Sequence, residues 1–435
     1  MTGRICVVGG GVSGRSLALW AKKLGASVLV SDTAALSDET QRLFEKNGIA
    51  WECGGHIAAC QCDMMVLSSG ISPKSEAVAA ARRMGIPVVG ELDFLAPYLS
   101  GKIIAVTGTN GKTTSTALAA HVLQSNGLRV QAAGNIGVPL ADCAGKKYDA
   151  LVLELSSFQL HWSSVLKPDA AILTNLASDH LDWHGSYENY ISDKCHIFAP
   201  PEDRKSWAVV HSRDAFRVPP PREVWTLSGG QRRIEFAGGA AELVCESGSR
   251  VLFHRDRLRL QGTHNVENAA MALAAAVLVF PHIDPSAGLE TFQPPRHRCE
   301  FIRTYRGAVY IDDSKGTNVA ASVTALRCID GAKVVILGGQ GKGEDYAELA
   351  RAVREQARAT IVLGEEADAI MQALAHAGFT EVCRAGSMED AVKKAASIAC
   401  PGDTVLLSPA CTSWDMYKNY AERGEHFAAI VRSLD

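Results

Sequence analysis

Three times along the chain a short apolar run empties into a glycine-rich turn: Ile5-Cys6-Val7-Val8-Gly9, Ile103-Ile104-Ala105-Val106-Thr107-Gly108 and Val334-Val335-Ile336-Leu337-Gly338. A buried-type strand that gives way to glycines and then to a helical pattern opens a doubly wound unit, with parallel strands and helices on both faces. The expected fold class is therefore α/β, with three such units. No fixed period links them, which excludes a solenoid or a propeller. The chain has 435 residues, and at roughly 150 residues per domain that length predicts about three domains, each burying its own core. Proline clusters mark the joints, Pro97 ahead of the second run and Pro294-Pro295 ahead of the third. The domains expected are 1–96, Rossmann-like; 97–293, P-loop ATPase-like; and 294–435, Rossmann-like. Pro219-Pro220-Pro221 reads as a loop inside the second.

Lysine plus arginine total 44 and aspartate plus glutamate 47, a net charge of −3. None of the three sections is a basic arm, so no nucleic-acid partner is expected. The longest unbroken apolar stretch, residues 269–280, is shorter than the about 20 residues that cross a hydrocarbon core. The N-terminus runs straight into a glycine loop, with no extended apolar region or small-residue cleavage site. A cytoplasmic monomer is the expectation. The 12 cysteines are scattered, with only Cys60-Gln61-Cys62 close together and no repeated C-x-x-C, so they read as reduced thiols rather than metal ligands or disulfides.

The first glycine loop, Gly9-Gly10-Gly11-Val12-Ser13-Gly14, fits G-x-G-x-x-G after a strand, and Asp32 closes the next strand, Val28-Leu29-Val30-Ser31. Such a turn lets a pyrophosphate approach N–H groups at a helix N-terminus, where negative charge is favoured. It indicates diphosphate rather than redox chemistry. Alone it leaves three readings open: a nicotinamide or flavin dinucleotide, another nucleotide diphosphate, or a structural turn.

The second loop, Thr107-Gly108-Thr109-Asn110-Gly111-Lys112-Thr113-Thr114, opens a helix that should run to about Asn126 and stop at Gly127. The literal G-x-x-x-x-G-K-[ST] pattern would need glycine where Val106 stands. The mechanics survive: amides from Gly108 to Lys112 can cradle phosphates, the Lys112 ammonium can reach the terminal phosphate, and the Thr113 hydroxyl can hold magnesium. Two further apolar runs end in polar residues, Leu151-Val152-Leu153-Glu154 and Ile172-Leu173-Thr174-Asn175, where open α/β sheets place their ligands. Glu154 suggests a hard-cation ligand. His180, in Asp179-His180-Leu181-Asp182, reads equally as a metal ligand or a hydrogen-bonded loop residue, and Lys194 by itself reads as a solvated helix lysine.

Together Gly108-Thr109-Asn110-Gly111-Lys112-Thr113, Glu154-Leu155-Ser156-Ser157-Phe158-Gln159, Asp179-His180-Leu181-Asp182 and Gly262-Thr263-His264-Asn265 resemble the Mur ligase family over essentially the whole chain. The resemblance implies three domains and an ATP-dependent amide ligase of bacterial peptidoglycan synthesis. It implies magnesium, as two ions, on Thr113, Glu154, His180 and a carbamylated Lys194. Lys112, His180 and Lys194 become the catalytic set. Gly108, Thr109, Asn110, Gly111, Lys112, Thr113 and Thr114 take ATP, with Asn265 at adenine, Arg298 of His297-Arg298-Cys299-Glu300 near the phosphates, and Asp313 at the ribose. Asn135 and His180 line the muramoyl substrate.

The tail, Gly338-Gly339-Gln340-Gly341-Lys342-Gly343 and residues 408–420 with Arg423-Gly424, is most similar to the branch that adds D-glutamate. That assigns Thr317, Lys342, Ser413 and Tyr420 to the D-glutamate; phenylalanine is common in the family where Tyr420 stands. The first loop then acquires a ligand, the uridine diphosphate of UDP-N-acetylmuramoyl-L-alanine, with Ser13, Asp32, Thr33 and Gly70 at matching positions. Three rivals are set aside. Folylpolyglutamate ligases share the G-T-N-G-K loop but normally lack the first domain and this tail. A dinucleotide oxidoreductase leaves Lys112, Glu154 and His180 unexplained. A retired ligase acting as a nucleotide sensor would not need the full phosphate and metal set.

Overall fold

The computed structural model describes residues 3–435 except 202, 259, 261 and 330. It contains three sheets. The first is built from β1 (Arg4–Val8), β2 (Ser27–Asp32), β3 (Ala50–Cys53), β4 (Met64–Leu67) and β5 (Val88–Gly90), all parallel in the order β3-β2-β1-β4-β5. Crossover helices Val12–Lys23, Asp38–Asn47 and Glu76–Arg83 connect its strands. Cys6, Val7 and Val8 are fully buried, as expected of a strand covered on both faces.

The second sheet holds β6 (Lys102–Thr107), β7 (Val130–Gly134), β8 (Ala150–Glu154), β9 (Ala170–Leu173), β10 (Trp207–His211), β11 (Glu223–Leu227), β12 (Arg233–Ala237), β13 (Ala240–Cys245) and β14 (Gly248–His254), in the order β14-β13-β12-β11-β10-β9-β6-β8-β7. Its strands are parallel up to β12, and β12, β13 and β14 then form an antiparallel meander. The reversal has a local cause. Gly238 and Gly239 both have positive φ, 56° and 80°, the conformation a tight two-residue hairpin turn requires. The triple proline lies between Arg217 and β11, outside any strand.

The third sheet contains β15 (Glu300–Tyr305), β16 (Ala308–Asp312), β17 (Lys333–Gly338), β18 (Ala357–Leu363), β19 (Val382–Arg384) and β20 (Thr404–Leu407), ordered β15-β16-β20-β17-β18-β19 with only β15 antiparallel. Side-chain alternation divides its core into two layers. Val335, Leu337, Val362 and Leu406 meet helices Val319–Cys328, Ala347–Gln356 and Ala367–His376. Val334, Ile336, Ile361, Val405 and Leu407 meet helices Met388–Ile398 and Tyr420–Arg432. Each such fully buried aliphatic side chain contributes roughly 1.5–3 kcal/mol.

Contacts group the chain into two compact units. One comprises Met1–Asn175, Ile191–Arg257 and Ala269–Glu290, and the other Leu176–Tyr190, Leu258–Asn268 and Thr291–Asp435. The first two sheets thus share a unit, while the stretches around His180 and Asn265 cluster with the third. All the cysteines are free thiols. Among the described residues no helix is long and apolar enough to cross a membrane.

Candidate active site

The second glycine loop leaves β6 at Thr107 and feeds helix Lys112–Ser125 through Gly111, which is left-handed at φ 82°. The helix stops at Asn126, and Gly127 has φ 81°. Gly108, at φ 146°, approaches so closely that a Cβ there would sit 1.9 Å from Thr174 Oγ1. The end of β9 braces the loop. Thr109 N–H donates to Asn175 O (2.9 Å), Asn110 N–H to Asn175 Oδ1 (2.9 Å), and the Thr174 hydroxyl to Asn110 O (2.5 Å). Lys112 folds back so that its ammonium donates to Gly108 O and Thr109 O, both at 2.8 Å. Thr113 and Thr114 are buried in the first helical turn. The loop therefore sets a helix N-terminus beside a cation, an arrangement that can take a phosphate.

Two strands away in sequence, Glu154 ends β8 only 1% exposed. Asn135 Nδ2 donates to its Oε1 at 2.9 Å, and Asn135 N–H to Glu154 O at 2.8 Å. Lys194, near the end of helix Tyr187–Cys195, is 2% exposed, and its ammonium donates to Gly108 O at 2.9 Å. This overturns the reading of a solvated lysine. Lys112, Thr113, Asn135, Glu154 and Lys194 all belong to the first unit, whereas His180 belongs to the second.

The first glycine loop has no lysine. Gly10 N–H donates to Asp32 Oδ2 at 2.6 Å and Ala34 N–H to Asp32 Oδ1 at 2.8 Å. A Cβ on Gly14 would lie 1.8 Å from Gly9 O, so helix Val12–Lys23 packs directly on the loop. Ser13 Oγ accepts from Ser69 Oγ at 3.4 Å, next to Gly70, which has φ 96°. Thr33 and Gly70 are exposed.

In the second unit, Asp179 is buried and accepts from Lys342 Nζ (3.1 Å) and Asn318 Nδ2 (2.9 Å), with His180 Nε2 at 3.6 Å. Burial by itself would raise its pKa, but the Lys342 ammonium, His180 and these hydrogen bonds outweigh that and hold the carboxyl below its ordinary value. Glu344 is pushed up to about 7, by burial first and then by the Asp179 charge. Asp313 accepts from Ser408 Oγ (2.7 Å) and Cys299 N–H (3.3 Å); burial raises it to about 6, although Ser408 and Arg298 pull the other way. Asn265 sits in the first turn of helix Thr263–Val279 beside His264, whose pKa burial lowers, with Arg298 adding to the effect. Thr317 is half-buried and Ser413 buried. Tyr420 opens the last helix, with the Lys315 ammonium 5.2 Å from its ring centroid.

Three supports went unread in the sequence. Thr174 and Asn175 hold the phosphate loop, and their only signal was a strand ending in polar residues. Asn318 caps helix Val319–Cys328 through Ala321 N–H while reaching Asp179. Arg423, 1% exposed, ties Ser314 to Cys411 O and Thr412 O with four hydrogen bonds of 2.8–3.1 Å, and burial lowers its pKa to about 10. His297, Glu300 and Asp312 have metal-ligand spacing, but they satisfy one another: His297 Nδ1 lies 2.7 Å from Asp312 Oδ2, and His297 N–H donates to Glu300 Oε2.

Comparison with known proteins fits this architecture. Residues 4–77 match a MurD N-terminal domain, 106–276 a Mur ligase middle domain, and 297–411 a Mur ligase, glutamate ligase domain. The chain is 38% identical to UDP-N-acetylmuramoylalanine–D-glutamate ligase of Pelotomaculum thermopropionicum, covering 99% of this chain and 98% of that one. It is 36% identical, with 99% and 98% covered, to the protein of the same name from Salinibacter ruber. Among solved structures, a pseudomurein peptide ligase type C from Methanothermus fervidus shares the fold with a TM-score of 0.62 at 20% identity, covering all of both chains. Identity of this extent, spread over all three sheets, makes the chain a member of the Mur ligase family.

Proposed function

We propose that this protein joins D-glutamate to UDP-N-acetylmuramoyl-L-alanine in an ATP-dependent ligation of peptidoglycan synthesis. The observation that carries the reading is the 36–38% identity, over 99% of the chain, to ligases that bear that name. The γ-phosphoryl group of ATP passes to the alanyl carboxylate, giving an acyl phosphate and ADP. The D-glutamate amine then attacks the acyl carbon, phosphate leaves, and an amide remains. No protein nucleophile is required; the work lies in alignment and in stabilising charge.

Gly108 to Thr114 hold the ATP phosphates, and Lys112, released from its loop carbonyls, meets the transferred phosphoryl group. Asn265, Arg298 and Asp313 complete the ATP contacts. Ser13, Asp32, Thr33 and Gly70 hold the uridine diphosphate, and Asn135 with His180 the muramoyl part. Thr317, Lys342, Ser413 and Tyr420 receive D-glutamate. Donors of this kind suit an acceptor with two carboxylates, since one lacking the second would leave polar groups unpaired.

Thr113 and buried Glu154 are hard oxygen donors, the chemistry magnesium takes. Lys194 as an ammonium would repel a divalent ion, whereas its carbamate supplies two anionic oxygens at the edge of the phosphate loop. Thr113, Glu154, His180 and carbamylated Lys194 would hold two ions, which when bound neutralise charge on the phosphoryl group. Domain boundaries near 96 and 293 are supported by β5 ending at Gly90, β6 beginning at Lys102, and β15 beginning at Glu300. A cytoplasmic monomer completes the reading.

The test is phosphate release from ATP and magnesium with UDP-N-acetylmuramoyl-L-alanine, comparing D-glutamate with L-glutamate, L-lysine, meso-diaminopimelate and no amino acid. Release with D-glutamate alone, and an amide product of matching mass, is the expected result. Release with another acceptor would keep the ligase chemistry and overturn the assignment of the tail. No release with any acceptor, despite ATP binding, would favour a sensor.

A further inference from the structure

Between the two glycine loops lies a short helix, Ser157–His161, that belongs to neither. Its N-terminal side is continuous with Glu154, and Leu155 is fastened to the phosphate-loop strand: its N–H donates to Val106 O (2.9 Å) and its carbonyl accepts from Thr107 Oγ1 (2.8 Å). Its C-terminal side reaches the first sheet, where Trp162 Nε1 donates to Ile71 O (3.2 Å), one residue beyond Gly70. The helix is a strut from the loop after β4, the uridine-side loop that carries Gly70, to the phosphate-side strand.

What keeps the strut straight is a buried side-chain pair. Ser156 and Gln159 form a capping box, in which Gln159 Oε1 accepts from Ser156 N–H (3.0 Å), so the Gln159 amide is turned with its Nε2 outward. That Nε2 donates to Glu91 Oε2 at 3.2 Å, and Glu91 is 3% exposed in helix Glu91–Leu95. The same helix grips the other end of the strut. Asp93 accepts from Ser164 N–H (2.8 Å) and Val165 N–H (2.9 Å), and a Cβ on Gly90 would lie 2.3 Å from Trp162 Cβ. A carboxylic side chain buried this deeply has a desolvation cost, and among the described residues Gln159, the capping-box partner of Ser156, meets it with a hydrogen bond.

We propose that Glu91 is a positioning residue for the ligation: through Gln159 it fixes the strut that sets the uridine-side loop against Glu154 and the phosphate loop. This rests on the assignment of the two loops to the uridine nucleotide and ATP. A displacement of about 1 Å at reacting atoms costs on the order of a hundredfold in rate, so a small tilt of the strut is enough to matter.

The experiment compares Glu91→Ala, Glu91→Gln and Trp162→Phe with the parent protein by steady-state kinetics and by hydrogen exchange of residues 156–165. Glu91→Ala should lower kcat/KM for UDP-N-acetylmuramoyl-L-alanine about tenfold or more while KM for ATP stays within about twofold, because the phosphate loop keeps its own braces. Exchange across 156–165 should quicken. Glu91→Gln, which retains an acceptor for Gln159, should restore both readouts, and Trp162→Phe, which removes the hydrogen bond to Ile71 O and keeps an aromatic ring beside Arg82, should raise KM for the uridine substrate alone. Unchanged kinetics in Glu91→Ala, an equal rise in both KM values, or a Gln variant as impaired as the Ala variant would overturn the proposal. If Glu91→Ala does not fold, Gln159→Glu, which removes the Nε2 donor to Glu91 and keeps an oxygen for Ser156 N–H, decides on the same readouts. If the parent protein ligates nothing, the functional reading fails, while the exchange comparison still tests the strut.

Discussion

The first and second glycine loops share a plan of strand, glycine turn and helix, yet they meet negative charge by opposite means. At the first, a carboxylate is already in place: Asp32 takes the N–H groups of Gly10 and Ala34. At the second, the Lys112 ammonium is folded over the turn. A loop whose acid is built in suits neutral hydroxyls such as those of a ribose, which donate to a carboxylate. One that carries movable positive charge suits a phosphoryl group on which charge changes during reaction. Glycine spacing alone therefore does not define a phosphate site; the residues that brace the turn do.

The sharpest way to break this contrast is Lys112→Ala. Turnover should fall about a hundredfold or more, the scale for losing one transition-state donor, while KM for the uridine nucleotide is retained; near-normal phosphate release would defeat the assignment. Next come the crossed glycine variants. Gly14→Ala drives a methyl into Gly9 O and Gly108→Ala drives one into Thr174 Oγ1, each at a cost of roughly 1–3 kcal/mol of overpacking. Both should lower Tm, but the first should raise KM for the uridine substrate and the second KM for ATP. The same pattern from both would erase the distinction.

Asp32→Ala should be gentler. Hydrogen bonds to a charged group contribute about 1.5–3 kcal/mol, so about a tenfold rise in KM for the uridine substrate is expected, with ATP unaffected. The smallest effect is a pH dependence. Burial raises Glu91 from its ordinary 4.5 to about 7, with Gln159 opposing. Between those values the folded protein holds a proton the unfolded chain has lost, so this residue's contribution to stability falls as pH rises through the window. Urea midpoints of the parent protein and Glu91→Gln at pH 5 and 7.5 should differ by more at the higher pH, with the variant favoured. A difference independent of pH would remove the carboxyl from the account.

Turn chemistry is local, which is why both loops, the stop at Gly127 and the strand ending at Asp32 could be read from the residues. The braces are not local. Thr174 reaches Asn110 across 64 positions and Asn318 reaches Asp179 across 139. The burial of Lys194 was hidden for a related reason: a nine-residue helix of mixed polarity does not announce which face lies under a loop 86 positions earlier. Glu91 follows Ile86-Pro87-Val88-Val89-Gly90 like a strand terminus, and nothing nearby in sequence names Gln159 as its partner. The antiparallel meander had a legible signal in Gly238-Gly239, masked by the parallel pattern on either side.

Arg423 carries a consequence for the order in which the molecule can be made. Its guanidinium completes the turn at Ser314 from 109 positions downstream and the Cys411–Thr412 carbonyls from the same point. Until that arginine has emerged from the ribosome, the segment holding Asp313 lacks its clamp, so the third sheet must finish folding after synthesis of its last helix, when long-range closures become available. A growing chain can shape its phosphate loop early. It acquires the other half of its chemistry only once Arg423 has been made.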